Sequence, residues 1–446
     1  MRRLIALALL LAACGPEPQS AQSVLNDKWR KRAQDSYRAA DMEDAKTSVD
    51  EALKTDPKDP IARVLAGRIA LARLEFTEAL KVTEGLQTTE AHMIRGRAFW
   101  YSNDVERAGD ELEGMLRDPE VKDPWAREVV KLARRGQGRK PFAIEGGIVA
   151  AIDMPQAGSL LIVPCELDGE NILAMVATGV AELTIDAASR KEPAWVSLRF
   201  GDRLEVKDVP AVTQDLTGLS RQLGAPIKAL LGVNVLRHMH ATFDRRASQF
   251  VVRREDPAAP PEATRVPLYY IRGGGMMLRA GVAKGDATAN LLVDTSTPYP
   301  LALTDATWKS AGVNIASLKG DPALPPNYKT GLVPLLRVGG IEVPQIPGVQ
   351  GVDLGDIKSR IDVDFGGVLG AGFLTPFRVT FGDEGRFIWL EVAPPEAPLP
   401  TAPGQGDGRP SGGPPMTPDP APSASSPAPS STSTPKKAAP AAGGKR

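Results

Sequence analysis

The pattern of apolar and polar positions divides the chain into a helical part and a β-rich part. Residues 24–136 contain almost no strand-like alternation and are rich in Ala, Leu, Glu, Lys and Arg, which predicts an all-α region. From Phe142 to Val392, short alternating runs are separated by Gly, Pro and Asp, which predicts an all-β region. Residues 393–446 are dominated by Pro, Ala, Ser and Gly and contain no aromatic residue, so this tail is predicted to be disordered.

The helical region contains an internal repeat. Ala45, Ala79 and Ala108 each open the second helix of a predicted pair, and the second of the two spacings is somewhat shorter than the first. Gly67 precedes Ala79 by the same number of residues as Gly96 precedes Ala108. Both glycines fall where the first helix of a pair needs a small residue for close contact with its neighbour. This arrangement resembles about three tetratricopeptide repeats, whose stacked helix pairs bury a face that no single pair could bury. A generic helical bundle is the alternative.

The β region contains two similar halves. Gly201 and Gly339 are separated by the same number of positions as Thr242 and Thr380, and three blocks recur in the same order. We therefore expect two lobes of one architecture, residues 145–255 and 264–392. The paired blocks are "VATGVAELTI" (176–185) with "VDTSTPYPLALT" (293–304), "RFGDRLEVKDVPAV" (199–212) with "RVGGIEVPQIPGV" (337–349), and "ALLGVNVLRHMHATFD" (229–244) with "GVLGAGFLTPFRVTFG" (367–382).

The Asp294-Thr295-Ser296 motif follows an aliphatic run and precedes an aliphatic-Gly block with a short helix. This order of aliphatic run, motif and aliphatic-Gly block occurs in both lobes and resembles the pepsin-like and retropepsin-like aspartic peptidases. The resemblance covers more than half of the chain. The resemblance implies that Asp294 is the catalytic aspartate of the second lobe, with Thr295 and Ser296 completing its motif. Ser296 replaces the glycine that the family has there. The first lobe also lacks a tyrosine between Gly179 and Val266, so the flap tyrosine of pepsin-like enzymes is absent.

The corresponding motif of the first lobe, Ala177-Thr178-Gly179, lacks the acid. Aspartic peptidases need two neighbouring carboxylates that share a proton, since one activates water while the other polarises the scissile carbonyl. We therefore expect a degenerate, inactive site. Glu182 and Asp186 are the candidate replacement acids, and pairing of two second lobes in a dimer would also supply a second Asp294. The sequence leaves open whether any peptidase activity remains.

Residues 1–14 resemble a bacterial lipoprotein signal. Arg2 and Arg3 precede an apolar run that is too short to span a bilayer and that ends in Ala12-Ala13-Cys14-Gly15. The resemblance implies that Cys14 is lipidated, and Gly15 in place of Asp favours the outer membrane, facing the periplasm. An ordinary secretory signal with a chance cysteine is the alternative.

The sequence gives little indication of nucleic-acid binding, a reactive cysteine or a metal site. Lys plus Arg equal Asp plus Glu, 54 against 54, so no net field favours nucleic acid. Cys165 is expected to be a small core residue, and Trp195 is also expected to fill core. His238 and His240, which could share one face of a strand, have no third ligand nearby, so neither a metal nor a cofactor is expected.

The expected function is a lipid-anchored envelope protein that binds peptides or partner proteins through its helical repeats and its degenerate cleft. The alternative is an aspartic endopeptidase that uses Asp294 with an unidentified second carboxylate or a dimer partner. A third possibility is a structural adaptor that uses the helical repeats alone.

Overall fold

The structure is a computed structural model, and it describes residues 21–392 except Gly274 and Lys284. The lipoprotein signal expected at 1–14, its Cys14, and the disordered tail expected at 393–446 lie outside the described residues. The described residues form one compact unit with a helical region followed by a β region. This order confirms the predicted fold class.

Seven helices build the helical region within the described residues, arranged as three antiparallel pairs and a final single helix. Their N-termini are mostly capped by Asp or Thr side chains that accept a backbone N–H, and proline occupies the first turn of the third and seventh helices. The helices are α1 (Ala21–Arg38), α2 (Met42–Thr55), α3 (Pro60–Ala72), α4 (Phe76–Thr83), α5 (Thr89–Tyr101), α6 (Val105–Leu116) and α7 (Pro124–Arg135).

The helix pairs stack as TPR-like repeats do. A Cβ atom on Gly67 would lie 2.6 Å from the Thr83 side chain, and one on Gly96 would lie 2.7 Å from Leu112, so both glycines permit close helix packing as predicted. The first helices of successive pairs, α1, α3 and α5, contact one another more than the second helices do. The stack is therefore concave on the side of its first helices.

The sheet of the first lobe has seven strands in the order β1-β7-β5-β8-β4-β3-β6, and pairing of β6 with β7 closes the last six of them into a barrel. The hairpin between β3 and β4 turns at Asp168-Gly169, where both residues have positive φ. The elements are β1 (Ala143–Gly146), β2 (Val149–Asp153), β3 (Ile162–Leu167), β4 (Glu170–Val176), β5 (Leu183–Asp186), β6 (Ala194–Phe200), β7 (Leu204–Gln214), α8 (Thr217–Leu223), β8 (Ile227–Leu231), α9 (Val233–His238), β9 (Thr242–Asp244) and β10 (Gln249–Arg253).

The second lobe repeats this plan: its described residues form eight strands in the order β12-β13-β14-β19-β15-β18-β17-β16, and pairing of β13 with β17 closes the six strands from β13 to β17 in this order into a barrel. Among its described residues, short 3-10 turns are inserted at Ile271–Gly273, Ile315–Ser317 and Asp383–Gly385. The elements are β11 (Thr264–Pro267), β12 (Tyr269–Tyr270), β13 (Met276–Gly281), β14 (Thr288–Asp294), β15 (Leu301–Leu303), α10 (Asp305–Ser310), β16 (Lys319–Gly320), β17 (Lys329–Val338), β18 (Ile341–Gln350), α11 (Gly355–Arg360), β19 (Gly367–Gly370), α12 (Ala371–Leu374), β20 (Phe377–Gly382) and β21 (Phe387–Val392).

A third sheet joins the two lobes. Its six strands run β11-β21-β20-β9-β10-β2, so each lobe contributes three strands. At its centre Thr242 pairs with Thr380, and their hydroxyl oxygens are 2.9 Å apart in the buried interior. Because these two threonines occupy equivalent positions in the two lobes, a local pseudo-twofold axis passes between them.

The concave face of the helical stack is filled by the β region of the same chain. Tyr269 and Ile271 share one apolar cluster with buried residues of α3, and Arg97 of α5 donates to the carbonyl of Arg272 at 3.1 Å. Trp195 was expected to fill the core of the first lobe, but it packs against the helical region. Its indole N–H donates to the carbonyl of Leu132 in α7 at 2.9 Å.

Candidate functional site

The two motifs occupy matching positions at the junction of the lobes. Ala177 follows β4, which pairs in parallel with β8 so that Val176 stands opposite Leu231. Asp294 ends β14, which pairs in parallel with β19 so that Val293 stands opposite Leu369. The identical register makes Ala177 the positional equivalent of Asp294.

Two buried threonines connect these positions through a reciprocal set of hydrogen bonds. The hydroxyl of Thr178 donates to the carbonyl of Val293 at 2.7 Å and accepts from the backbone N–H of Thr295 at 3.1 Å. The hydroxyl of Thr295 in turn donates to the carbonyl of Val176 at 2.7 Å and accepts from the N–H of Thr178 at 3.2 Å. These four bonds fix the two motif loops against each other, and both threonine side chains are fully buried.

Asp294 is partly exposed and is held by its own loop. Its Oδ1 accepts from the backbone N–H of Ser296 at 2.9 Å and from the Ser296 hydroxyl at 2.7 Å. Its Oδ2 accepts a longer bond of 3.4 Å from the hydroxyl of Thr297. A carboxylate oxygen can accept about two hydrogen bonds, so Oδ2 retains acceptor capacity.

Gly179 of the opposite loop lies against this carboxylate. A Cβ atom at residue 179 would be 2.6 Å from Asp294 Cγ, which real Cβ atoms do not tolerate. Ser296 is the equivalent of Gly179 in the second lobe, and its hydroxyl donates to Asp294 of its own loop at 2.7 Å. From the equivalence of the two loops, we expect a carboxylate introduced at residue 177 to approach Ser296 as Asp294 approaches Gly179.

The two candidate replacement acids are engaged elsewhere. Glu182 is 3% exposed, and its Oε1 accepts from the indole N–H groups of Trp100 at 3.0 Å and Trp125 at 3.2 Å. Burial raises the pKa of Glu182, an effect opposed by these indole donors. Asp186 accepts from the backbone N–H of Leu216 on Oδ1 and from Lys228 at 3.4 Å on Oδ2.

The remaining candidates from the sequence are structural. Cys165 is buried as expected, and burial raises the pKa of its thiol to about 12. His238 and His240 do not share a strand face, since His238 ends α9 and stacks on Phe142 with ring centroids 4.2 Å apart. Within the described part of the chain, no three His, Cys, Asp or Glu side chains come together as metal ligands.

A groove of about 640 Å³ opens elsewhere, on the outer surface of the first lobe. Cys165 and Ile172 are among its apolar lining residues, and Arg199 and Lys228 are among its charged ones. Neither Ala177 nor Asp294 lines it, so the chemistry that the motifs bring together lies outside this groove.

Sequence reasoning missed the contacts that surround the junction. Tyr299, in the loop that follows Asp294, meets Tyr328 edge-on with ring centroids 6.3 Å apart. The buried cluster of Glu182 with Trp100 and Trp125 joins residues far apart in the chain, so no local spacing could have indicated it.

Comparisons with known proteins add little to this geometry. No protein-family model matches the chain, and no curated protein matches it. Among solved structures, the chain is similar to the TPR domain of Arabidopsis OM64, with 14% identity and a TM-score of 0.24 over 26% of this chain and 98% of that domain. Across the described residues, no helix combines the length and apolar character needed to cross a membrane.

Proposed function

We propose that the β region is an aspartic-peptidase-like binding module that holds an extended peptide, or an unfolded segment of a partner protein, without cleaving it. The ligand would bind at the junction of the two motif loops. The observation that supports the proposal is the reciprocal bonding of Thr178 and Thr295, which joins the loop of Ala177 to the loop of Asp294; in an aspartic peptidase each of these loops would need an acid.

The fold supports the choice of an aspartic-peptidase-like module. Two closed lobes joined by a shared six-stranded sheet, each with a motif loop flanked by parallel strands, resemble the pepsin and retropepsin architecture. Under this assignment the second lobe keeps the acid and the first lobe keeps only the scaffold.

The chemistry of the junction favours binding over hydrolysis. A single aspartate can accept a hydrogen bond or a proton, but it cannot also supply the shared proton that polarises the scissile carbonyl. Removing half of such a coupled unit costs orders of magnitude in rate. Asp294 Oδ2, with its remaining acceptor capacity, is suited to receive a backbone N–H of an extended ligand.

The dimer alternative meets a structural obstacle. Each second lobe already has an intramolecular mate, because Thr295 is bonded to Thr178 of the same chain. Forming a pair of Asp294 residues from two chains would require breaking all four of these buried bonds.

The helical repeats have a different role in this proposal. Their concave face is filled by the β region, so a partner would contact the junction or the outer helical surface. The resemblance of residues 1–14 to a lipoprotein signal further supports attachment through Cys14 to the cell envelope, with the protein facing the periplasm.

The test uses purified wild-type protein, an unfolded protein substrate, and a fluorescein-labelled extended peptide. We expect no cleavage across the acidic to neutral range, and saturable peptide binding that weakens in Asp294→Asn. The matched control is Asp286→Asn, which changes an exposed carboxylate in the β13–β14 turn and should bind as wild type does. Absence of peptide binding would remove the binding proposal, whereas cleavage that disappears in Asp294→Asn would establish the endopeptidase alternative.

A further inference from the structure

The loops that follow the two motifs can be compared residue by residue. A Cβ atom on Gly232 would collide with the carbonyl of Glu182, and one on Gly370 would collide with the carbonyl of Tyr299. Glu182 follows Ala177 at the same spacing as Tyr299 follows Asp294. Glu182 and Tyr299 are therefore equivalent positions on the two sides of the junction.

On the first-lobe side, helices α5 and α7 pack over Glu182, and we call this part of the helical region the cover. Glu182 accepts hydrogen bonds from indoles of α5 and α7, and Ala181 packs against the same helical cluster. The link between β5 and β6 is also tied to α7, because Arg135 donates to the carbonyl of Pro193 at 3.1 Å and to Glu192 at 2.6 Å.

The contacts of Glu182 hold this cover firmly. The carboxylate is nearly fully buried, and its second oxygen accepts from the side-chain amide of Asn234 at 3.3 Å. Arg237, itself buried, donates to Asn234 and to the carbonyl of Tyr101 in α5. Opening the cover would leave several buried polar groups without partners, so the helices act as a fixed element.

The helical region also packs on the second lobe, against Leu292 and Ala302 of the strands that flank the equivalent loop, but it leaves the loop itself partly open to solvent. Tyr299 is partly exposed, and the preceding Pro298 is exposed. Partial burial, together with the neighbouring phenol of Tyr328, raises the pKa of Tyr299. Tyr328 belongs to a long connection, 304–328, whereas the corresponding first-lobe link, 187–193, is short.

We propose that the helical repeats permanently cover the first-lobe half of the junction, so that a ligand contacts only the second-lobe half, where Tyr299, in the loop that follows Asp294, forms an aromatic wall with Tyr328. This wall fits a large apolar side chain of an extended peptide. The ligand-class part of the inference rests on the proposed binding function, whereas the cover itself does not.

The cover is tested without any ligand. Thiol labelling of Tyr299→Cys should be fast and that of Glu182→Cys slow, with Ser189→Cys as an exposed first-lobe control. Hydrogen exchange of the wild type provides a second measurement that needs no substitution. The amides of Val180 and Thr297 make equivalent loop bonds, so slower exchange in 177–183 than in 294–300 would report the cover. Equal exchange of both loops would overturn it.

The wall is tested with a fluorescein-labelled peptide that has a central phenylalanine. Tyr299→Ala should weaken binding by about tenfold or more, while exchanging the phenylalanine for glycine should cost wild type a similar factor. Equal affinities for both peptides would overturn the wall. If neither peptide binds wild type, the proposed function fails, but the labelling and exchange results still decide the cover.

Discussion

The backbone of Gly179 lies directly against the carboxylate of Asp294, so that a Cβ at residue 179 would be 2.6 Å from Asp294 Cγ. By the equivalence of the two loops, we expect a carboxylate at residue 177 to stand in the same relation to Ser296. An acid at residue 177 would therefore be expected to conflict with the side chain at residue 296.

This relationship predicts which substitutions could restore a proton-sharing pair. Ala177→Asp alone should remain inactive because its carboxylate would collide with Ser296. We expect Ala177→Asp combined with Ser296→Gly to cleave an unfolded protein at acidic pH, since the double change recreates the arrangement around Asp294. The measurement is peptide release, with Ser296→Gly alone as the control. Activity in Ala177→Asp alone would contradict the collision.

The paired threonines should be a main source of stability at the junction. Thr178→Val removes one donor and leaves the N–H of Thr295 and the carbonyl of Val293 unpaired, which should lower the free energy of unfolding by about 1–3 kcal/mol. Thr295→Val should behave similarly, and the double variant should cost less than the sum. Urea unfolding followed by tryptophan fluorescence measures these values. Thr47→Val, on an exposed helix surface, is the control, and additive losses would show that the bonds act independently.

The close helix contact at Gly96 should make even a methyl group unfavourable. Gly96→Ala gains helix propensity of up to about 1 kcal/mol but places its Cβ 2.7 Å from Leu112. Overpacking in a filled core costs about 1–3 kcal/mol, so we expect a net loss of stability. Gly218→Ala in α8 is the matched control, because nothing lies within 4 Å of its Cβ, and it should be neutral or stabilising. A more stable Gly96→Ala protein would contradict the predicted packing.

Glu182 should give the stability of the protein a specific pH dependence. Its pKa is raised by burial, so the folded protein retains this proton at pH values where the unfolded chain has lost it. The corresponding stabilisation is complete below the unfolded pKa, near the ordinary glutamate value of about 4.3, and is lost as the pH rises through the folded pKa. Glu182→Gln should remove this slope in thermal unfolding, whereas Glu192→Gln, on an exposed carboxylate of the same interface, should retain it. An identical slope in wild type and Glu182→Gln would contradict the prediction.

The expected lipid anchor gives a cellular prediction. Cys14→Ser should move the protein from the membrane fraction to the soluble fraction, because attachment through acyl chains at this residue would be lost. Fractionation followed by immunoblotting measures this, with Cys165→Ser as the cysteine control that should stay in the membrane fraction. A Cys14→Ser protein that stays with membranes would contradict the anchor.

The sequence by itself determined the order of the two regions and the internal repeats. Helical spacing of Ala and Gly predicts the stacked pairs because small residues are needed wherever two helices approach, as they do at Gly67 and Gly96. The recurring Thr-Gly/Ser and aliphatic-Gly blocks predict equivalent lobes, because a duplicated chain repeats its turn and packing requirements at the same spacing.

Only the tertiary structure decided which side of the junction is buried and which is partly exposed. Glu182 and Tyr299 occupy equivalent positions in the repeats, yet one is buried against two indoles of the helical region and the other remains partly exposed beside Tyr328. This difference arises from contacts between the first lobe and distant parts of the chain, which follow from how the helices pack on the barrel. The spacing of residues in the sequence cannot predict such contacts, because the burial and the hydrogen-bond partners of a side chain depend on the folded chain as a whole.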